Sequence, residues 1–317
     1  MHYKKTGEKM IPASTWIGQR DLTGYTIVVT GANSGLGFIT SCVFACLGAN
    51  VHIGVRTKTK GDETIQQIVE YVNEHEPGRA LDVQKRLFAH YVEMSDFASV
   101  RAFCQSFQQP IDILVNNAGL QANEKKTTKD GYEMTWQVNY LSSTFLTTKL
   151  LLPLLQQAGK DRGKRAKVIN ITSGMHKMVK DLDLEDINFD KKEYDHTEAY
   201  TKSKLAQILN VEYYTQVELP PSESPTSPLF YGIIPGPVKT NIYRQENGFE
   251  QPPWDGFADR PSPDEAAYPI FVCALEDYAA PGSLLAVPDG REDTKSDLAQ
   301  DMDLAKSLWN YSIDATG

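Results

Sequence analysis

The sequence predicts a doubly wound α/β fold: a parallel sheet of about seven strands flanked by helices. Three observations lead there. Short runs rich in Val and Ile alternate along the chain with longer stretches of helical periodicity. The runs are apolar almost throughout rather than at every second residue, as in strands buried on both faces. A glycine cluster joins the first strand to the first helix, where sheets of this kind receive ligands.

In chain order, strands are expected at Tyr25–Thr30, Asn50–Val55, Leu87–Val92, Ile111–Asn116, Lys167–Thr172, Phe230–Ile234 and Ser283–Val287. Each is short and bounded by turn residues. Helical patterns lie between them at Leu36–Leu47, Asp62–Asn73, Ser95–Phe107, Asp130–Leu155, Thr197–Gln216 and Pro263–Leu275. Right-handed crossovers turn such an alternation into a doubly wound sheet. Glu76–Arg86 reads as a polar insertion and the Pro- and Ser-rich stretch Pro220–Pro228 as a surface loop. No composition shift divides the chain, so residues 22–317 are expected to form one domain behind an extension, residues 1–21. There is no internal repeat.

Composition limits the function. The chain has 317 residues, 41% hydrophobic and 23% charged, with a formal net charge of −9. An acidic surface argues against nucleic acid or anionic membrane as main partners. No apolar run reaches the ~18 residues of a membrane span. The start of the chain, with Lys4, Lys5 and Lys9, lacks the apolar core of a secretory signal. Cys42, Cys46, Cys104 and Cys273 show neither Cys-x-x-Cys nor metal-ligand spacing, so no metal is expected and the thiols fit a reducing compartment. These features together predict a soluble, cytoplasmic protein.

The first strand runs into Thr30-Gly31-Ala32-Asn33-Ser34-Gly35-Leu36-Gly37 and then a helix. Gly31 permits a tight turn, Gly35 lets backbone approach a pyrophosphate, and Gly37 lets helix and strand pack closely. With Ser34 and Leu36, they place free helix N–H groups where a phosphate binds. A glycine turn can be purely structural; its place between first strand and first helix favours a dinucleotide. The second strand chooses which one. About 20 residues on, an acid is expected if a ribose 2′-OH is to be gripped. The strand ends instead in Arg56, with Lys60 nearby, which suits a 2′-phosphate and hence NADP(H). Asn116-Asn117-Ala118-Gly119 ends the fourth strand, at the edge where doubly wound sheets bind ligands; a simple turn is the competing reading.

Chemistry is carried further along. Tyr200 and Lys204 are four apart on a predicted helix and share a face. A phenol titrates near ~10 in water, and a neighbouring cation favours its phenolate. The pair can therefore act as an acid/base for an alcohol and carbonyl. Ser173, at the end of the fifth strand, could hold the substrate oxygen or be a turn serine. Asn139 lies inside a helix, where Asn is a mediocre residue. Either it bends the helix, or it holds a water near the lysine.

Thr30–Gly37, Asn116–Gly119, Asn139, Ser173, Tyr200, Lys204 and Pro235-Gly236-Pro237-Val238-Lys239-Thr240 occur in the order and spacing of one family. Over about residues 22–315 the chain resembles the short-chain dehydrogenases/reductases, which have a Rossmann-type sheet. The resemblance implies a catalytic tetrad of Asn139, Ser173, Tyr200 and Lys204. It also implies that Lys204 holds the nicotinamide ribose, that Asn117 lines the ribose side, and that Val238 and Thr240 meet the carboxamide. Within the family, Asp130–Met134, Val138–Tyr140 and Asp183–Ile187 are most similar to retinol dehydrogenases and the WW-domain-containing oxidoreductase. Two positions depart from the family pattern. The acid usual after the third strand is here Glu93, so an altered adenine contact is expected there, and Tyr140 stands where a His usually follows the Asn. The sequence shows neither a WW domain nor an apolar anchor.

The expected function is hydride transfer between NADP(H) and a small-molecule carbonyl or alcohol, with Tyr200 as acid/base. Two other functions share the motifs: a cofactor-binding regulatory protein with a vestigial site, and a C=C reductase. Substrate selection is expected from Met175, His176, Tyr194 and the segment Asn241–Phe257, where Ile242, Tyr243, Phe249 and Trp254 could line an apolar pocket and Arg244, Glu246 and Glu250 could grip a polar group. His176 reads as a positioning or surface residue rather than a second acid/base. A homodimer is expected from the resemblance and from the apolar length of Asp130–Leu155, which exceeds what one sheet face covers.

Overall fold

The computed structural model describes residues 10–220, 226–238, 242, 260–277 and 279–317. Eight strands form one sheet in the order β3-β2-β1-β4-β5-β6-β7-β8. They are β1 Thr26–Thr30, β2 Asn50–Val55, β3 Leu87–Tyr91, β4 Ile113–Asn116, β5 Lys167–Ile171, β6 Leu229–Ile234, β7 Leu284–Ala286 and β8 Arg291–Glu292. All neighbours pair parallel except β7 with β8, which is antiparallel. The seven expected strands are present; β8, two polar residues, carries no apolar signal to predict it. Strands β1, β4 and β5 are buried along their whole length, as strands covered on both faces are.

Helices cover both faces: α1 Gly35–Cys46, α2 Lys58–His75, α3 Ala80–Val83, α4 Phe97–Gln105, α5 Met134–Trp136, α6 Thr147–Arg162, α7 His196–Tyr213, α8 Pro263–Leu275 and α9 Met302–Thr316. The polar insertion at 76–86 is a run of short helical turns that includes α3. On one face, α1 and α8 meet through Phe44 and Phe271, whose rings lie 4.7 Å apart. The extension belongs to this layer from residue 13 onward. Ala13 and Trp16 are buried, Trp16 stacks on Tyr268, and Ser14 gives both its N–H (2.9 Å) and its hydroxyl (2.7 Å) to the Asp264 carboxylate.

The other face departs most from expectation. Asp130–Leu155 is not one regular helix. Between α5 and α6 lies a π-helix, Gln137–Leu146, every residue of which is buried. Its backbone bonds run i→i+5 rather than i→i+4. Hydroxyls follow the same spacing: Thr144 Oγ1 donates to Asn139 O at 3.0 Å and Thr147 Oγ1 to Ser142 O at 2.8 Å. The π-helix part of this apolar stretch is covered from within the chain by α9, which the sequence reading missed, while Leu150, Leu152 and Leu154 on α6 stay partly exposed. Trp309 on α9 stacks on Tyr213 at 4.3 Å and meets Phe145 and Tyr214 edge-on, each at 5.1 Å. Tyr140 shares a 2.7 Å hydrogen bond with Ser312.

Trp309→Ala should therefore remove the centre of this aromatic cluster. Loss of a large buried ring typically costs about 3–5 kcal/mol, and Trp309 is only partly buried. A loss of about 2–4 kcal/mol in urea unfolding is expected; an unfolding curve equal to wild type would contradict the role given to this ring.

Candidate active site

The chain passes outward through β1, β2 and β3, then returns to place β4 on the other side of β1. Loops leaving β1 and β4 diverge there and open a crevice at the carboxyl edge of the sheet. It is a cleft of about 700 Å³.

One end is built by the glycine turn. Gly31 (φ +65°) and Gly35 (φ +57°) both take the left-handed conformation that favours glycine. A Cβ on Gly37 would lie 2.4 Å from Asn117 Nδ2 and 2.5 Å from Gly31 O, so only glycine lets α1 pack this close. Ser34 stands extended at the helix N-cap, but its hydroxyl takes no bond from the helix, and the first turn holds no acid. The N–H groups of α1 therefore keep their partial positive charge for an anion. Gly31, Ser34, Gly35 and Leu36 line the cleft; Gly37 sits behind them. Arg56, exposed at the end of β2, also lines it. Lys60 does not: it lies in the first turn of α2, and its Nζ pairs with Glu63 at 2.7 Å. Glu93 lines the cleft beyond β3, with one carboxylate oxygen accepting from the N–H and hydroxyl of Ser95. The turn, the bare helix end and the arginine fit the phosphates of a dinucleotide.

The edges of β1 and β4 are joined side chain to backbone. Thr30 Oγ1 accepts from the N–H groups of Asn117 and Ala118, each at 3.0 Å. Asn117 Nδ2 donates to Thr30 O at 2.9 Å and Gly31 O at 3.1 Å. Asn117 reaches the cleft, but its amide N–H groups are spent on the glycine turn. Asn116 lies below, its Nδ2 bridging Thr148 Oγ1 (2.9 Å) and Asn170 Oδ1 (2.8 Å).

The other end carries Ser173, Tyr200 and Lys204. Asp195 caps α7 by accepting from Thr197 and Glu198 N–H, and the helix is buried from Ala199 through Glu212. Tyr200 and Lys204 are thereby fixed on one face, with Nζ 5.5 Å from the centre of the phenol ring. Burial brings the Lys204 ammonium down to about 7. Its Nζ donates to Ile171 O at 2.7 Å and Gln207 Oε1 at 2.9 Å. Ser173 follows β5, its Oγ accepting from Met175 N–H at 3.2 Å. Asn139 is wholly buried behind this end. Its Oδ1 accepts from Leu120 N–H at 2.7 Å, and its Nδ2 donates to Leu120 O at 2.9 Å and Ser203 Oγ at 3.0 Å. It fixes the loop after Gly119 and stands in the π-helix. Val238 lines the cleft; Thr240 lies outside the described residues.

The expected selectivity residues are placed differently. Met175, His176 and Tyr194 do not line the cleft. His176 is buried, with Nδ1 2.8 Å from Ser173 O and Nε2 accepting from Ser296 N–H at 3.3 Å, so it braces the strand end that carries Ser173. Tyr194 donates to Ala122 O at 2.9 Å. Ile242 lines the cleft, and the rest of 241–257 lies outside the described residues. A wall the sequence reading missed is Leu120–Glu124 together with Lys126. Its only sequence signal is that it directly follows Asn-Asn-Ala-Gly. All four cysteines are buried and unpaired, and burial raises the thiols of Cys46 and Cys104 to about 12.

Gly37→Ala tests the cradle. Its methyl must push Asn117 off Gly31, so dinucleotide affinity should fall at least about tenfold, a cost of ~1.4 kcal/mol or more, together with a lower melting temperature. Gly78→Ala, where a Cβ meets nothing within 4 Å, should change neither. Equal dinucleotide titrations for wild type and Gly37→Ala would contradict the assignment.

Comparisons with known proteins agree with this geometry. The family model described as short chain dehydrogenase matches residues 25–181. Retinol dehydrogenase 13 of Mus musculus is 31% identical over 93% of this chain and 85% of its own length. The WW domain-containing oxidoreductase of Gallus gallus is 34% identical over 60% of this chain and 44% of its own. A solved structure of an uncharacterized protein from Mycobacterium paratuberculosis superposes with a TM-score of 0.74 at 26% identity, covering 97% of this chain and 98% of the other. The crevice at the β1/β4 reversal and these likenesses lead to one conclusion: the chain is an oxidoreductase of the short-chain dehydrogenase/reductase family, similar to the retinol dehydrogenases.

Proposed function

We propose that this protein interconverts a small-molecule carbonyl and alcohol using NADP(H), with Tyr200 as the acid/base. The observation that carries the reading is the pairing of Tyr200 and Lys204 on one buried helix face at one end of a cleft whose other end is a phosphate cradle with Arg56. The nicotinamide, when bound, supplies or accepts the hydride. The chain's own residues handle the proton. In reduction, Tyr200 gives its phenolic proton to the substrate oxygen as that oxygen gains charge; in oxidation, the phenolate takes it back. Lys204, as ammonium, stabilises the phenolate by proximity. The Ser173 hydroxyl donates to the substrate oxygen and holds it against Tyr200. Arg56 is assigned the adenosine 2′-phosphate, because the end of β2 offers a guanidinium and no carboxylate for a ribose hydroxyl. Val238 and Thr240 are assigned the carboxamide side by family likeness, and Asn139 the support of Gly119–Leu120. Four buried, unpaired thiols support a reducing compartment, in keeping with a cytoplasmic enzyme. Among the described residues no helix is long and apolar enough to cross a membrane.

Tyr200→Phe deletes one hydroxyl and keeps the ring. Acid/base groups typically contribute about 10²–10⁴ in rate, and loss of a hydrogen bond to developing charge adds to that. Turnover of NADPH with an aldehyde and ketone panel should fall by about a thousandfold or more, with normal NADPH binding and melting temperature. Retention of a tenth of the wild-type rate, where chemistry is limiting, would sink the mechanism. Arg56→Asp should weaken NADPH by about tenfold or more, since a charge-assisted contact is worth about 1.5–3 kcal/mol, and should favour NADH relatively. A wild type that prefers NADH would show that the β2 end had been misread.

A further inference from the structure

Lys204 carries three N–H donors. One goes to Ile171 O at 2.7 Å and one to Gln207 Oε1 at 2.9 Å, which leaves the third for Tyr200 and the cleft. Gln207 has no place in the tetrad, yet its amide is fully engaged. Nε2 donates to Asn139 O at 3.0 Å and to Thr144 Oγ1 at 2.9 Å. The side chain is 1% exposed. Its orientation is dictated by its partners: an ammonium only donates and a main-chain carbonyl only accepts, so the amide oxygen must face Lys204. The Asn139 carbonyl lies in the buried π-helix that packs against α7. The amide thus links the lysine to the helix that carries Asn139.

We propose that Gln207 is a positioning residue for the proton-transfer pair, holding Lys204 Nζ on a fixed acceptor and aiming its remaining N–H at Tyr200 and the cleft. This rests on the role given above to Tyr200 and Lys204. The groups around Nζ are Tyr200 on the same helix, the backbone of Ile171 at the end of β5, and Gly119, where a Cβ would lie 3.8 Å away. Gln207 and Asn139 are neutral, and burial alone moves the lysine's titration; among the described residues no carboxylate opposes it. Neutral acceptors must then keep the ammonium charged at working pH, and Gln207 supplies the side-chain one. A leucine here would remove that acceptor at nearly constant volume and leave the third N–H free to turn away from Tyr200.

The test compares wild type, Gln207→Leu, Gln207→Glu and Tyr200→Phe. In the cofactor-free protein, NMR of ¹³Cε-labelled lysine follows the titration of Lys204. Gln207→Leu should lower its midpoint by about one pH unit, the scale on which a lost hydrogen bond to the charged form acts, and Gln207→Glu should raise it. With NADPH and hexanal as probes, kcat should fall about tenfold in Gln207→Leu while the KM for hexanal and the Kd for NADPH hold. A Lys204 midpoint equal to wild type in Gln207→Leu overturns the proposal, even if the variant melts lower, since a helix pin alone predicts that. If Gln207→Leu does not fold, an unmoved midpoint in Gln207→Glu overturns it equally. Failure of the functional reading looks different: the lysine shifts appear, yet wild type consumes no NADPH and Tyr200→Phe matches it.

Discussion

The cleft depends on the stitch between Thr30 and Asn117. Parallel strands that wind outward in opposite directions leave the loops after β1 and β4 without shared ladder bonds. A crevice of this kind has no intrinsic width. The Thr30 hydroxyl takes the first two N–H groups beyond β4, and the Asn117 amide takes the first two carbonyls at the end of β1. Four hydrogen bonds thus set the spacing of the glycine turn from the Gly119 loop. Gly37 must be glycine because Asn117 occupies the space its side chain would fill. Gly119 in turn passes close to Asn139 and Lys204, so both ends of the site are referred to one seam.

Much of this could be read from the sequence, and the exceptions share a cause. Short runs rich in apolar residues and bounded by turns announce a strand locally, so seven of the eight were legible, including β3, which is largely exposed. The glycine turn and the Tyr200–Lys204 face were legible because backbone conformation and helical spacing are local properties. Groups that act across elements were not. Thr30 looks like any strand threonine until Asn117 is brought to it. Gln207 stands three residues from Lys204, a spacing that puts both on one face, but nothing local shows that its far end meets Asn139. Met175, His176 and Tyr194 follow the strand end or precede α7, as selectivity residues do, yet the side chains of His176 and Tyr194 serve as braces and Met175 does not line the cleft. Helix α9 has an ordinary amphipathic pattern; that it would settle on the π-helix was a tertiary fact.

Asn139 shows how one irregularity serves two purposes. Its side chain is consumed in holding Leu120 and Ser203, so it has little to spare for a ligand. Its main-chain carbonyl, inside the π-helix, accepts in addition from the Thr144 hydroxyl and the Gln207 amide. Side chain and carbonyl thus belong to one fully buried polar network, in which each member is positioned by the others.

The covering of the π-helix by α9 has a consequence for how the protein is made. Trp136, Tyr140, Phe145, Tyr213 and Tyr214 lie between residues 136 and 214, whereas Trp309, Tyr311 and Ser312 that meet them come about a hundred residues later. During synthesis the sheet and its first helices can assemble while this aromatic face is still bare. At ~5–20 residues per second, that interval lasts several seconds or more. The nascent chain therefore presents a sticky surface that the finished protein does not have, and it is a natural holding point for a chaperone until the last helix docks.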